Sequence, residues 1–405
     1  MELARMHQME EIAREYGAPL YIYDSAVIEE QFARLTRAFQ GVKDVKLNYA
    51  CKANTNINII KFIRNLGSGL DAVSINEIKL GLRAGFLPQE IIFTPSGVHF
   101  NEIREAAELG VKIHIDNFPF LRRFAEEFPD YPIGIRINPH IKAGGNEKIS
   151  TGHVDSKFGI SIDQVDDIVD LTRKIPLKVD GLHVHTGSDI LDIDVFLEGA
   201  KVLFGAAENF PSLTYLDFGS GFKVPYKEGD KETDIVTLGN KLGLLFNEFV
   251  EKYKKPLRLI FEPGKFLVSQ CGLFVTEVNV VKETPYRRFA FINSGFNHLI
   301  RPMFYNAFHH IVNLSNPDSK NEKTYDVVGY ICETDTFASD RKIAEIHEGD
   351  YLCFENAGAY CFSMSSNYNS RVRPAEVLLL NGAPHLIRRK ENFENLLETT
   401  VEISL

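Results

Sequence analysis

Residues 45–67 read "VKLNYACKANTNINIIKFIRNLG", and the fold turns on how this stretch divides. Val45 to Ala50 form a short β-rich run. Ile59, Phe62, Ile63 and Leu66 then recur at helical spacing. A strand thus passes almost directly into a helix, and Lys52 stands between them, a long cation among small residues. Lysine is almost never fully buried without a partner, so alone Lys52 reads as a solvated surface residue. What the rest of the chain gathers around it decides between that reading and a chemical one.

The same unit recurs without a break as far as residue 265. "GLDAVS" precedes "INEIKLGLRAG", "EIIFTPS" precedes "HFNEIREAAELG", and "VKIHID" precedes "NFPFLRRFAEEF". "YPIGIRINP" leads through a Gly-rich loop to "IDQVDDIVDLTRKI", and "VDGLHVHTG" leads to "DVFLEGAKVLFGAAENF". "LTYLDFGSGF" precedes "IVTLGNKLGLLFNEFVEKY", and "LRLIFEPGKF" comes last. Parallel strands with crossover helices fit an open sheet or a closed barrel. Eight such units favour a (β/α)8 TIM-like barrel, expected over residues 27–268. Beyond residue 270 strands follow one another with few helices: "GLFVTEVNVVKE", "RRFAFINSG", "YDVVGYICE", "DYLCFENAG" and "AEVLLLNG". The fold class is therefore α/β plus all-β. The second domain, a β-sandwich or β-barrel, is expected from residues 1–26 and 269–405, with "APLYIYD" near residue 20 returning to join it.

A chain of 405 residues exceeds one ordinary core, which supports two domains. A net charge of −10 argues against non-specific nucleic-acid binding and against an anionic membrane surface. "MELARMHQMEEIAREYG" has no apolar signal-peptide core, and no apolar run is long enough to predict a transmembrane helix. The cysteines Cys51, Cys271, Cys332, Cys353 and Cys361 are odd in number and match no zinc spacing. Free thiols in a reducing cytoplasm, with no metal site, are the simplest expectation.

Reactive groups in such barrels stand where strands give way to loops. Lys52 ends the first strand, Asp71 lies near the end of the second, and Arg136 near the end of the fifth. His185 ends the sixth, "GSG" (Gly219 to Gly221) the seventh, and Glu262 the eighth. Each has a structural reading by itself: a core histidine, a tight turn, a helix-capping acid. Together they supply an amine, a flat ring, a carboxylate and glycine amides. Glycine lets the backbone approach an anion closely, and free N–H groups there cradle phosphate. Pyridoxal 5'-phosphate requires this set: an amine for its aldehyde, an acid for its ring nitrogen, and an anchor for its phosphate.

Over nearly its whole length, from "PLYIYD" to "RPAEVL", the chain resembles the alanine-racemase-fold family of pyridoxal-phosphate decarboxylases. The resemblance rests on "YACKAN", "HVHTGS", "LDFGSGF", "FEPGKF", "RPMFYNAFHHI", "GYICE" and "AGAYCFSMSSNYNSRVRPAEV". The last of these separates it from relatives that decarboxylate ornithine and arginine. The resemblance implies that Lys52 is the Schiff-base lysine and that His185 stacks on the ring. It implies that Ser188, Gly221, Gly264 and Tyr360 hold the phosphate, that Glu262 pairs with the ring nitrogen, and that Asp71 and Arg136 support these groups. A racemase of this fold is expected to place arginine where Glu262 stands, so a carboxylate favours decarboxylation. Arg301 and Tyr305 are implied to hold a substrate carboxylate, with Tyr360 and Lys265 beside them. Cys332 is implied as a proton donor and Glu333 as the partner of a substrate ammonium. Both are implied to cross a two-fold interface in a homodimer with shared active sites.

The implied reaction is decarboxylation of meso-diaminopimelate to L-lysine and CO2, the last step of lysine biosynthesis. Two alternatives remain open at this point. One is a related decarboxylase acting on D-lysine, D-ornithine or a carboxylated polyamine; the other is a non-catalytic relative that binds a partner. Two departures bear on the substrate. The family commonly has arginine after "EPG", where this chain has Lys265, which keeps the charge and loses the planar fork. The loop "CETDTFASD" also differs, carrying Thr334 and two extra residues.

Overall fold

Eight parallel strands close on themselves: Val45–Ala50, Gly69–Ala72, Ile91–Phe93, Lys112–Ile115, Pro132–Asn138, Lys178–Val184, Tyr215–Asp217 and Arg258–Phe261. The eighth pairs with the first through Phe261 and Leu47, and the fourth with the fifth through Ile115 and Ile135, so no edge is left open. The computed structural model describes residues 1–141 and 151–405. The Gly-rich loop expected after the fifth strand lies largely outside the described residues.

Five of the strands hand over to their helices through a polar residue that satisfies a first-turn amide. Asn56 accepts from Asn58 N, Ser74 from Glu77 N, Asn117 from Phe120 N, Asp192 from Asp194 N and Asp234 from Thr237 N. Loss of one such cap costs about 1 kcal/mol. The helices bury one apolar face, as Ile59, Ile60 and Ile63 do on Ile57–Asn65. After the eighth strand only a short turn of helix follows, Lys265–Val268.

The lumen is filled by polar and aromatic side chains as well as aliphatic ones. Tyr215 lies across it, and its hydroxyl is 2.9 Å from His114 Nε2. Two glycines make the room. A Cβ at Gly181 would stand 2.0 Å from a Tyr215 ring carbon, and one at Gly134 would stand 2.5 Å from its hydroxyl.

Contacts group the barrel as Glu29–Pro225 with Lys231–Leu267, and a second unit as Met1–Ile28, Tyr226–Asp230 and Val268–Leu405. In the second unit Leu20–Asp24 pairs antiparallel with Gly272–Glu283 and parallel with Ala375–Leu380. Met9 and Ile12 of the helix Leu3–Tyr16 pack with Leu20, Ile22, Val275 and Val377 in its core.

Three strands of this unit, Ile311–Asn313, Thr336–Ala344 and Ala383–Arg388, carry no clear alternation in the sequence. The last two end the sheet, where one side pairs with nothing and burial is slight. The strand expected over residues 325–333 is instead Glu322–Val328. Asp335 turns the chain there. Its Oδ1 accepts from Phe296 N at 2.7 Å and its Oδ2 from Ile331 N at 3.0 Å. Cys332 and Glu333 therefore sit on an exposed turn. Among the described residues no helix is long and apolar enough to cross a membrane.

Candidate active site

Lys52 occupies the turn Cys51–Ala53 at the end of the first strand. The Tyr49 hydroxyl donates to Asn54 O at 3.0 Å and ties that turn down. Across the sheet Ala50 faces Asp71, which places the two side chains together. Lys52 Nζ donates to Asp71 Oδ2 at 3.0 Å, with the lysine side chain 41% exposed and the acid 1%. Burial pushes the Asp71 carboxyl up to about 6; the nearby Glu262 adds to this and the Lys52 ammonium opposes it. The amine is thus open to solvent on one side and held by an acid on the other.

Glu262 follows the eighth strand, and its backbone N–H is fixed on Gly219 O at 2.6 Å. His183 Nε2 lies 3.1 Å from Glu262 Oε2, and among the described residues the buried Oε1 meets no donor other than a proton shared with Asp217. Arg136, buried and opposite His183 in the sheet, lies over the Phe158 ring at 4.6 Å. Burial lowers its guanidinium, against the attraction of Glu262, Asp116, Asp71 and Asp217.

The two glycines of the "GSG" turn have no space for side chains. Gly219 has φ +59 and a Cβ there would lie 2.5 Å from His185 Nδ1; Gly221 has φ +110 and its Cβ would meet Gly187 O at 2.1 Å. Two amides of this turn serve the protein itself. Gly219 N–H donates to Asp217 Oδ1 at 2.9 Å, and Ser220 N–H donates to His185 Nδ1 at 3.3 Å. The His185 ring is thereby fixed with its lone pair on Nδ1. Among the described residues the amides of Gly221 and Gly264 make no such bond. Ser188 is half-buried in the loop after the sixth strand.

This donor set fits pyridoxal phosphate: a reachable amine, a buried carboxylate oxygen that accepts from no N–H among the described residues, a fixed imidazole and glycine amides in a cradle that a Cβ would fill. A metal fits less well. One ligand atom from each of His114, His183, Asp217 and Glu262 lies within 4.8 Å of the others. Both ring nitrogens of His114 are already bonded, however, to Thr94 Oγ1 at 3.0 Å and Tyr215 Oη at 2.9 Å.

Lys265 does not stand ready for an anion. Its Nζ is 2.5 Å from Asp189 Oδ1, with the lysine side chain 10% exposed and the acid 29%. A substrate carboxylate arriving there meets a cation already paired within the chain. If Lys265 contacts that carboxylate, Asp189→Asn should free the ammonium and lower the Michaelis constant several-fold. Lys265→Arg should preserve or tighten binding, and Lys265→Ala should raise the constant. Three unchanged constants from steady-state kinetics would place Lys265 outside the substrate site.

The other expected residues lie in the second unit. Arg301, buried at the start of the helix Arg301–Tyr305, donates from Nη1 to Ala359 O at 3.3 Å, beside Tyr360, and lies over the Tyr226 ring at 5.0 Å. Tyr305 packs edge-on against Phe304. Glu333 Oε1 accepts from the Tyr368 hydroxyl at 2.6 Å, and Asn369 Nδ2 donates to Cys332 Sγ at 3.3 Å. Sequence reasoning gave no role to His183, Asp217, His114 or Asp189. His183 precedes His185 by two residues and so shares its face of the strand, a signal that was present in "HVHTGS".

Comparison with known proteins agrees with this chemistry. Residues 25–269 match the pyridoxal-dependent decarboxylase family, pyridoxal binding domain. The diaminopimelate decarboxylase of Methanothermobacter thermautotrophicus is 39% identical over 96% of this chain and 92% of its own length. That of Aquifex aeolicus is 35% identical over 98% of this chain and 94% of its own. The crystal structure of diaminopimelate decarboxylase from Helicobacter pylori complexed with L-lysine superposes with a TM-score of 0.88 at 31% identity, covering 96% of this chain and 98% of that one. Matched over residues 25–269 by the family model and along nearly its whole length by such relatives, the chain is a member of the pyridoxal-dependent decarboxylase family.

Proposed function

We propose that this chain decarboxylates meso-diaminopimelate to L-lysine and CO2, with pyridoxal 5'-phosphate held at Lys52. The observation that carries the reading is Glu262, a buried carboxylate at the end of the eighth strand whose Oε1 accepts from no N–H among the described residues. When bound, the cofactor supplies an aldehyde that joins amines and a ring that accepts the electrons left by the departing carboxylate. Glu262 Oε1 would hold the proton on the ring nitrogen. His185 would lie against the ring. The amides of Gly221 and Gly264, with Ser188 and Tyr360, hold the phosphate, while Arg136 and Asp71 hold their neighbours in place. Lys52 would anchor the cofactor through its amine. Asp71 Oδ2, 3.0 Å from Nζ, takes up and returns the lysine's proton, which an acid held near 6 does readily at neutral pH.

Arg301 and Tyr305 are assigned to a substrate carboxylate, and Lys265 and Tyr360 to substrate binding. Glu333 is assigned to the distal ammonium, and Cys332 to protonation of the carbon that loses CO2. The test is to incubate purified holoenzyme with meso-diaminopimelate and identify the product. L-lysine with CO2 is expected. Turnover confined to D-lysine, D-ornithine or a carboxylated polyamine overturns the substrate. A colourless protein that takes up no added cofactor overturns the enzyme reading.

The same assignment makes the protein a homodimer, with Cys332 and Glu333 of each protomer serving its partner's cofactor. Lys52→Ala and Glu333→Ala should each be nearly inactive. Refolded together, about half the dimers are mixed and each carries one intact site under C2 symmetry, so activity should return to roughly a quarter of wild type. A mixture that stays inactive while heterodimers form places each site within one chain. We also place the protein in the cytoplasm, which suits its five free cysteines. Thiol counting on freshly extracted protein checks this, since a disulfide would argue against a reducing compartment.

A further inference from the structure

Glu262 does not stand alone at the rim. The seventh strand lies between the sixth and the eighth, and it sets Asp217 opposite His183. His183, Asp217 and Glu262 are all buried. Asp217 Oδ1 accepts one amide, from Gly219, and the Asp217 side chain lies within hydrogen-bonding reach of Glu262; among the described residues no other donor meets Asp217 Oδ2 or Glu262 Oε1, and His183 Nδ1 has no partner. Two carboxyl groups this close, shut away from water, do not both ionise. The charge settles on the one with the better donors. Glu262 has the imidazole N–H on Oε2 and the Arg136 guanidinium acting on it, and Asp217 has a single neutral amide.

The tautomer of His183 follows from the same geometry. Burial, then the charges of Arg136 and Lys52, hold its imidazole well below the usual range, so it is neutral and has one N–H. On Nδ1 that hydrogen would have no acceptor, and two lone pairs would face each other between Nε2 and Oε2. On Nε2 it makes the observed bond. His114 buttresses the arrangement: its ring stacks on His183 at 5.0 Å and is itself held by Thr94 and Tyr215.

We propose that His183 and Asp217 are positioning residues for Glu262. His183 donates Nε2–H to Oε2, and Asp217, as the neutral acid of the pair, leaves the charge on Glu262 with Oε1 as the edge presented to the cofactor's ring nitrogen. Burial, then repulsion from Glu262, pushes the Asp217 carboxyl well up, in keeping with the neutral form. The inference rests on the assignment of Glu262 to the ring nitrogen made above.

The test uses the full chain and two probes, pyridoxal phosphate and its 1-deaza analogue, in which carbon replaces the ring nitrogen. Affinity is read by spectral titration of cofactor-free protein, so no turnover is needed. His183→Phe keeps a flat ring and removes the N–H. It should weaken binding of pyridoxal phosphate about tenfold or more, the scale of a lost hydrogen bond to a charged group, and leave the analogue's affinity unchanged. His183→Gln, which restores a donor, should recover most of the loss. In a Glu262→Gln background His183→Phe should add nothing. Asp217→Asn, neutral and of the same shape, should keep the preference for pyridoxal phosphate over the analogue. Equal weakening of both probes, or of neither, overturns the role of His183. Loss of the preference in Asp217→Asn overturns the neutral-acid assignment. Wild-type protein that binds neither probe overturns the cofactor site and this inference with it.

Discussion

Lys52→Ala should abolish turnover almost completely while leaving the protein folded. In its proposed role as cofactor anchor, Lys52 is worth at least the 10²–10⁴-fold typical of a positioned acid–base group, so a loss of about 10³-fold or more is expected. Steady-state rates measure it. Borohydride reduction followed by peptide mass analysis identifies the cause: wild type should carry the cofactor on the peptide containing Lys52, and the variant should not. Activity and label retained in the variant would mean that another lysine anchors the cofactor.

The fold should survive because Lys52 is substantially exposed and leaves no cavity. Its removal does leave Asp71 buried without its cation. Asp71 is already raised to about 6, above its ordinary value of 3.8. A raised acid favours the native state only while protonated, so its contribution to stability declines as pH rises from the unfolded value through the folded one. Without Lys52 the folded value rises further and the decline continues to higher pH. Cofactor-free Lys52→Ala should therefore match wild type in thermal unfolding at mildly acidic pH and fall behind it as pH rises above about 6. Parallel curves at all pH values would show that the pair is electrostatically silent.

Glu262→Gln should keep the cofactor and lower the rate. Glutamine fills the same space and its amide oxygen still accepts from His183 Nε2. It has no charge with which to hold a proton on the ring nitrogen. Loss of one preorganised electrostatic partner costs about 10²–10³ in rate in other enzymes, and a similar fall in kcat is expected here with little change in KM. An unchanged kcat would remove Glu262 from the chemistry.

The barrel was legible because its signals are local. Strands such as "PIGIRIN" are short apolar runs closed by polar caps, and the helices after them repeat at one spacing. The ends of those strands pointed to Lys52, Glu262 and the glycines in one step, since the fold puts strand ends together. The polar layer behind them was not legible. His183 and Asp217 lie inside strands, where a lone histidine or aspartate reads as an isolated oddity until the register sets them side by side. The Lys265–Asp189 pair joins residues 76 positions apart in two different loops, and nothing local links them. Thr336–Ala344 was missed because a strand at the end of a sheet needs no buried face on both sides, and its sequence, "TFASDRKIA", shows none.

The tyrosine lying across the lumen constrains how this sequence can diverge. A single methyl group at Gly181 would stand 2.0 Å from the Tyr215 ring, and one at Gly134 would press on its hydroxyl. Neither glycine can mutate while the tyrosine stays. The tyrosine cannot shrink without leaving a hole and taking a hydrogen bond from His114. In descendants of this chain the three positions should therefore drift as a linked set, through paired replacements or not at all, although they come from three different strands and none touches the reacting atoms.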